Sequence, residues 1–324
     1  MPTTPEPSDR GFSAQGPRDT SLFHMDPTEL GLIEAVEVGG ARRARGRGIG
    51  IAGWVAIGWL GLLLVLAILA PVLPIPPPTE VFPEIARKGP SAGHLLGGDS
   101  IGRDMLSRII WGTRASFIVG FGAVAFGLVL GGMLGMITGY FRGRVDSIVT
   151  PLMNVFLAIP QFVLALSLVT VLASGEGVAE SRRLFTVVLG LGIVSIPLLG
   201  RITRANAMTW SEREFVMAAR SMGARNWRII FREVLPNVVP AMLSIALLGV
   251  GIAIVAEGGL SLFGVGVQLP TPSWGNIIAE GRGAMRRSPH IVVFTSIVLF
   301  LTVMALNYLG DVVSQRFGVR ESVL

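Results

Sequence analysis

Cysteine is absent from the 324 residues, which excludes disulfides, thiolate metal sites and cysteine nucleophiles. Charge is scarce too: Asp, Glu, Lys and Arg make up 15% of the chain, where soluble domains carry about 25%. Lys88 is the sole lysine and no Gly-Lys pair occurs, so a Walker-type phosphate loop cannot form and ATP is not bound that way. Histidine occurs three times. In place of these the chain is 51% hydrophobic with 42 glycines and a mean hydropathy of +0.64, a composition suited to lipid. The net charge of +6 is then read first as a topology signal, not as a nucleic-acid footprint.

Residues 1–48 are polar and rich in Pro and Gly, and end in Arg42, Arg43, Arg45 and Arg47. They read as a mostly disordered cytoplasmic tail, with Asp26–Val38 as a candidate short helix. Residues 49–318 form the membrane domain, followed by a tail at 319–324. Six apolar stretches are long enough to cross a bilayer, which takes about 20 residues each: near 50–73, 115–138, 151–173, 184–203, 239–262 and 290–310. The expected fold is therefore an all-α integral membrane protein with six transmembrane helices. With the N-terminus inside, and leaving out the distant Arg10 and Arg18, 15 basic residues lie on the cytoplasmic side and 10 outside, so both termini are expected to be cytoplasmic.

Glycine recurs every fourth residue in the second span, at Gly127, Gly131, Gly135 and Gly139. A ridge without side chains lets another helix approach closely in lipid, either within the chain or across a subunit interface. Pro160 and Pro197 should kink spans three and four. Glu257 is the one ionisable side chain deep in a span. Such a group suggests function by default, against a structural pairing near the outer end of its helix or with a neighbouring subunit. Asp99, Arg103, Asp104 and Arg108 form a charged cluster before the second span, suited either to a local ion network or to docking an extracellular protein.

The loop at 204–238 carries the densest signal. Ser211 and Glu214 have capping-box spacing, with Trp210 and Phe215 at the two staple positions around them. Phe215, Ala218, Ala219 and Met222 recur at 3–4 spacing on one side of a short helix. Gly223 is placed to end it in a left-handed turn, and a second amphipathic stretch, Asn226–Val234, runs to Leu235-Pro236. Helix, glycine turn, helix makes a compact knob fit to dock in a partner's groove, or a helix pair lying on lipid headgroups.

The segment FVMAARSMGARNWRIIFREVLPN (215–237) resembles the EAA loop of ABC importer permeases. The likeness extends to HLLGGDSIGRDMLSRIIWGTRASF (94–117), FLAIP (156–160), LGRITRANAMTWSEREFV (199–216), AEGGLSLFGVGVQLPTPSWGNIIAEGR (256–282) and LNYLGD (306–311). Together they resemble the second membrane subunit of the dipeptide/oligopeptide/nickel branch over residues 50–318. The resemblance implies a type I importer permease of the bacterial cell membrane, importing short peptides, with nickel or another small solute as the in-family alternative. It implies partners as well: a homologous second permease, two ATPases and an extracytoplasmic solute-binding protein. ATP and magnesium would sit on the ATPases, with no cofactor or metal on this chain and no catalytic residue. Ser211, Glu214, Ala218, Ala219, Gly223, Arg225, Leu235 and Pro236 are then the ATPase-coupling residues. Three positions depart from the pattern: Met217 replaces the motif's Glu, Glu233 stands where Ile or His is usual, and Asn154 stands where Asp is frequent, in or beside the pathway.

Two chemical motifs have weaker standing. Gly98-Asp99-Ser100-Ile101-Gly102 reads as a nucleophile elbow, which needs a preceding strand and an α/β sheet. Gly48, Gly50 and Gly53 match a dinucleotide-loop spacing but open a membrane helix. A membrane-bound hydrolase built on Ser100 is thus one rival; a stand-alone secondary transporter, which would want inverted repeats and several intramembrane ion ligands, is the other.

Overall fold

The computed structural model describes residues 49–173 and 180–317. The expected N-terminal tail, its candidate helix and the C-terminal tail from 319 lie outside the described residues. Those residues form ten α-helices: α1 (Ile51–Leu69), α2 (Met105–Phe141), α3 (Gly143–Ala158), α4 (Gln161–Ala173), α5 (Glu180–Ser211), α6 (Glu214–Ser221), α7 (Asn226–Ile229), α8 (Leu235–Leu262), α9 (Trp274–Gly281) and α10 (His290–Arg316). Five helical stretches are long and apolar enough to cross a membrane, six when the bent pair α3 and α4 counts as one span.

That pair corrects the expected third span near 151–173. It is two helices meeting at 92°. Pro160 has no N–H to donate and drives the residue before it out of helical geometry; Ile159 accordingly sits at ψ 133. Pro197, expected to kink the fourth span, lies inside α5 without interrupting it. The second amphipathic stretch, Asn226–Val234, is continuous with the fifth span. α7 passes through a π-helical turn, Ile230–Val234, directly into α8, so Asn226–Leu262 is one continuous 37-residue helix.

α2 is the axis of the fold, packing lengthwise against α5 from Val188 to Ala207 and against α8. The Asp104 carboxylate caps its start by accepting the Ser107 N–H at 2.8 Å, which satisfies one of the free donors of a first helical turn. The glycine ridge lies against α5. A Cβ at Gly131 would run into the Ile196 carbonyl, and one at Gly135 into the Gly200 carbonyl. The backbones therefore touch, as small-residue faces permit in lipid. Gly127 and Gly139 continue the same contact, against Ser195 and Ala207. α1 is held by Arg114, whose guanidinium donates to the carbonyls of Ala67 at 2.5 Å and Ile68 at 3.1 Å, covering groups that a helix C-terminus leaves unpaired.

Three apolar clusters are stacked along the bundle. The central one joins α2, α5 and α8 through Val119, Val188, Leu191 and Ile254. A second lies at the end carrying α6, here the knob end, and includes Met136, Tyr140, Ala207 and Val216. The third, of Met105, Ile109, Ile277 and Ile291, closes the opposite cap end.

Candidate functional site

The knob is built by the end of α5, by α6 and by α7. Ser211 does not cap α6 as its spacing suggested: it is buried as the last residue of α5, and its hydroxyl donates back to the Met208 carbonyl at 2.9 Å. The N-cap is Arg213, without a side-chain cap. α5 thus runs further than the pattern predicted, because the back-bonded hydroxyl remains within its last turn. Glu214 instead occupies the first turn of α6, where its charge favours the helix dipole. Trp210 and Phe215 are in ring contact, with centroids 6.3 Å apart.

The stripe expected on one side of α6 divides. Ala219 is buried beside Val216 in the knob-end cluster, whereas Phe215, Ala218 and Met222 face outward, Met222 at 81% exposure. The inward face therefore follows Val216 and Ala219, a period the sequence pattern missed by one residue. Gly223 has φ +78. The Ala224 N–H donates to the Ala219 carbonyl at 3.1 Å and the Gly223 N–H to the Arg220 carbonyl at 2.9 Å, the paired bonds of a Schellman turn. Arg225 is the exposed N-cap of α7, while Leu235 is half-buried and Pro236 exposed at the start of α8.

Residues outside the motif fasten this hairpin to the bundle. The Tyr140 hydroxyl donates to Asn226 Oδ1 at 3.1 Å, and the Arg220 guanidinium carbon lies 5.0 Å from the centre of the Tyr140 ring, a cation–π distance. Arg142 pairs with Glu212 at 2.6 Å. Arg204 forms a forked pair with Asp146, at 2.5 Å and 2.7 Å, joining α5 to α3. Asp146 and Arg204 are 58 positions apart, so no local sequence signal marks them.

Asn154 is exposed on α3 and lines a cavity of about 480 Å³ with Thr150, Arg201 and Arg204. A second cavity, of about 470 Å³ and almost wholly apolar, lies between α4, α5 and α8 and is lined by Phe162, Leu198, Ile245 and Ile252 among others.

Glu257 is fully buried near the end of α8. Its Oε1 accepts from the Ser261 hydroxyl at 2.7 Å and from the Ser273 hydroxyl at 2.9 Å. Ser273 is the N-cap of α9, closed as a reciprocal box with Asn276. A Cβ on Gly275 would come within 2.6 Å of Glu257 Oε2, so the acid clasps the start of α9 within its own chain.

The charged cluster before α2 is an ion network. Arg103 and Arg108 both donate to Asp99 Oδ2, at 2.6 Å and 2.5 Å, and both reach Glu280 Oε2 on α9, at 2.8 Å and 2.6 Å. Burial opposes ionisation of Asp99, but the Arg103 backbone N–H and the charges of Arg108 and Arg103 outweigh it and hold the carboxyl below its ordinary range. Asp99 Oδ1 accepts three backbone N–H groups, from Ile101, Gly102 and Arg103. The elbow-like motif is explained by this turn: Ser100 sits within it, and side chains at Gly98 and Gly102 would strike the carbonyls of Ile85 and Phe82.

Helices long and apolar enough to cross a bilayer, with a short exposed hairpin packed on one end, define a multi-pass membrane protein. Residues 127–320 match the family described as the binding-protein-dependent transport system inner membrane component, and the chain belongs to that family. It is a multi-pass membrane component of a transport system, not an enzyme. The chain is 37% identical over 236 residues to a glutathione transport system permease protein of Pectobacterium atrosepticum, covering 73% of this chain and 74% of that one. It is 35% identical over 260 residues to a dipeptide transport system permease protein of Alkalihalophilus pseudofirmus, covering 80% and 81%. A di/tripeptide transport system permease protein of Pseudomonas aeruginosa is 36% identical over 274 residues, covering 82% and 86%. The fold is similar to that of an inward-facing structure of the MetNI methionine ABC transporter, with a TM-score of 0.53 and 18% identity over 64% of this chain and 94% of that one.

Proposed function

We propose that this chain is one of two membrane subunits of an ATP-driven importer of short peptides, docking cytoplasmic ATPases through α6. The observation that carries the reading is the knob itself. An eight-residue helix is fixed from behind by Val216, Ala219 and Tyr140 and leaves Phe215, Met217, Ala218 and Met222 outward. An exposed apolar face held by a rigid, well-packed back is a surface for a partner. Peptides are the cargo named for the relatives above. In this reading the knob end and both termini are cytoplasmic, and the cap end faces the solute-binding protein. A homologous permease completes the pathway, and two ATPases supply nucleotide and magnesium.

The mechanism is alternating access. Closure of the ATPases displaces α6, and the knob-end cluster passes that displacement to α2, α5 and α8 because close-packed side chains move as a unit. The tagged full-length chain, purified from its membrane in mild detergent, is expected to retain a second permease and Walker-motif ATPases, identified by mass spectrometry. The recovered complex in vesicles should accumulate tripeptide only with ATP and a loaded binding protein. A chain recovered alone that transports without ATP would overturn the proposal.

A further inference from the structure

The polar cavity between α3 and α5 contains one uncompensated cation. Arg204 is neutralised by its forked pair with Asp146, and Thr150 donates to the same carboxylate at 2.6 Å. Arg201, one helical turn earlier on α5, is exposed and has no hydrogen bond or ion pair among the described residues. The Asn154 amide opposite, on α3, is likewise without a hydrogen-bond partner among the described residues. Two guanidinium groups, one amide and one hydroxyl thus converge with a single carboxylate, which is already used. On the other side of the α3–α4 break, Gln161 lines the apolar cavity and its buried Nε2 also lacks a partner. The 92° bend therefore sets unused amide donors on both sides of a turn in the chain, with the free guanidinium beyond it.

We propose that Arg201 and Asn154 form a carboxylate subsite in the knob-end half of the pathway, which holds the C-terminal carboxylate of the cargo during translocation. A guanidinium presents a planar fork of donors that matches a carboxylate's two oxygens, and the Asn154 amide adds a neutral donor. The net positive cavity then selects cargo by charge after the binding protein has released it. The inference rests on the peptide-import reading, and the experiment separates the two.

The complete complex, in nanodisc or vesicle form, is supplied with saturating binding protein loaded with either tri-alanine or its C-terminal amide. Saturation removes the receptor's own preference, so the ratio of maximal uptake rates reports the membrane step. The wild type should favour the free acid, and Arg201→Gln should reduce that preference about tenfold, the effect of losing one charged hydrogen bond. Arg201→Lys should retain part of it. Asn154→Asp should abolish it while keeping the guanidinium, because a carboxylate then faces Arg201 within the chain. An acid-to-amide ratio unchanged in Arg201→Gln and Asn154→Asp, with complexes assembled as in the wild type, overturns the subsite but leaves peptide import standing. A wild type that carries neither peptide overturns the import reading itself. If the Arg201→Gln effect is equal for both peptides and appears only with phosphatidylglycerol in the bilayer, the guanidinium serves lipid headgroups and the subsite is overturned.

Discussion

Gly135 and Gly223 are both glycines that the fold needs, for opposite reasons. Gly135 has ordinary helical geometry, but a Cβ there would meet the Gly200 carbonyl and, at 2.8 Å, the Arg204 amide. Those are backbone atoms of a packed helix and cannot swing aside, so Gly135→Val should force α2 from α5 at about 3 kcal/mol, the upper end for overpacking. The expected result is a lower melting temperature of the purified complex, and Gly135→Ala should fall between. At Gly223 the opposite holds: a Cβ would meet no atom within 4 Å among the described residues, yet φ is +78. The penalty is conformational alone, about 1–2 kcal/mol for a branched side chain in that region. Gly223→Asn should be tolerated because asparagine enters the left-handed region readily, while Gly223→Val should not. Both glycines stand out in the sequence, Gly135 by its four-residue spacing and Gly223 by its place after an amphipathic turn. Ser211 is ambiguous in the sequence, since a hydroxyl with capping spacing can also bond back to its own helix, and only the course of α5 settles which.

At the scale of elements, α6 is too short to be stable alone, because isolated helices below about 12 residues are marginal in water. Its eight residues persist through Val216 and Ala219 in the knob-end cluster and through the Tyr140 contacts. Loss of the Schellman turn in Gly223→Val should therefore loosen the docking face without unfolding the spans. Such a complex should lose ATPase in the pull-down, or hydrolyse ATP with uptake reduced at least tenfold; fully coupled uptake would refute a docking role for α6. The pair α3 and α4 depends on a single proline, and the sequence placed Pro160 correctly but not the size of its effect. A proline within a helix costs about 3 kcal/mol or more. Whether the chain absorbs that as a kink or a break depends on what surrounds the freed groups, as Pro197 in unbroken α5 illustrates.

For the whole molecule, the cap end ties distant stretches together: Asp99 from the first loop, Arg103 and Arg108 from the start of α2, and Glu280 from α9. Asp99 titrates below its ordinary range in the fold, so its contribution to stability is complete above the unfolded carboxyl's pKa, near 4, and disappears as pH falls below it. The melting temperature should drop on acidification from pH 5 to pH 3. Asp99→Asn should destabilise the fold by about 3 kcal/mol at neutral pH, since two buried guanidinium groups lose a partner, and should flatten the acid dependence of the melting temperature. An unchanged acid slope in Asp99→Asn would place the pH sensitivity elsewhere.

The all-helical membrane architecture, the order of its apolar stretches and the glycine turn of the knob were determined by the sequence. Each follows from local quantities: apolar run length, the period of small residues, and the φ that glycine alone adopts without cost. The tertiary structure decided the partners of Glu257, the Asp146–Arg204 fork, the network through Glu280 and the side of α6 that is buried. Apart from the Glu257–Ser261 bond, the paired residues among these lie 16 to 177 positions apart, and a charge or hydroxyl carries no mark in the sequence of which distant group it will meet. Hydrophobic burial acts along one element and is written in its periodicity. Hydrogen bonds and ion pairs act across elements, and their geometry exists only after the helices have packed.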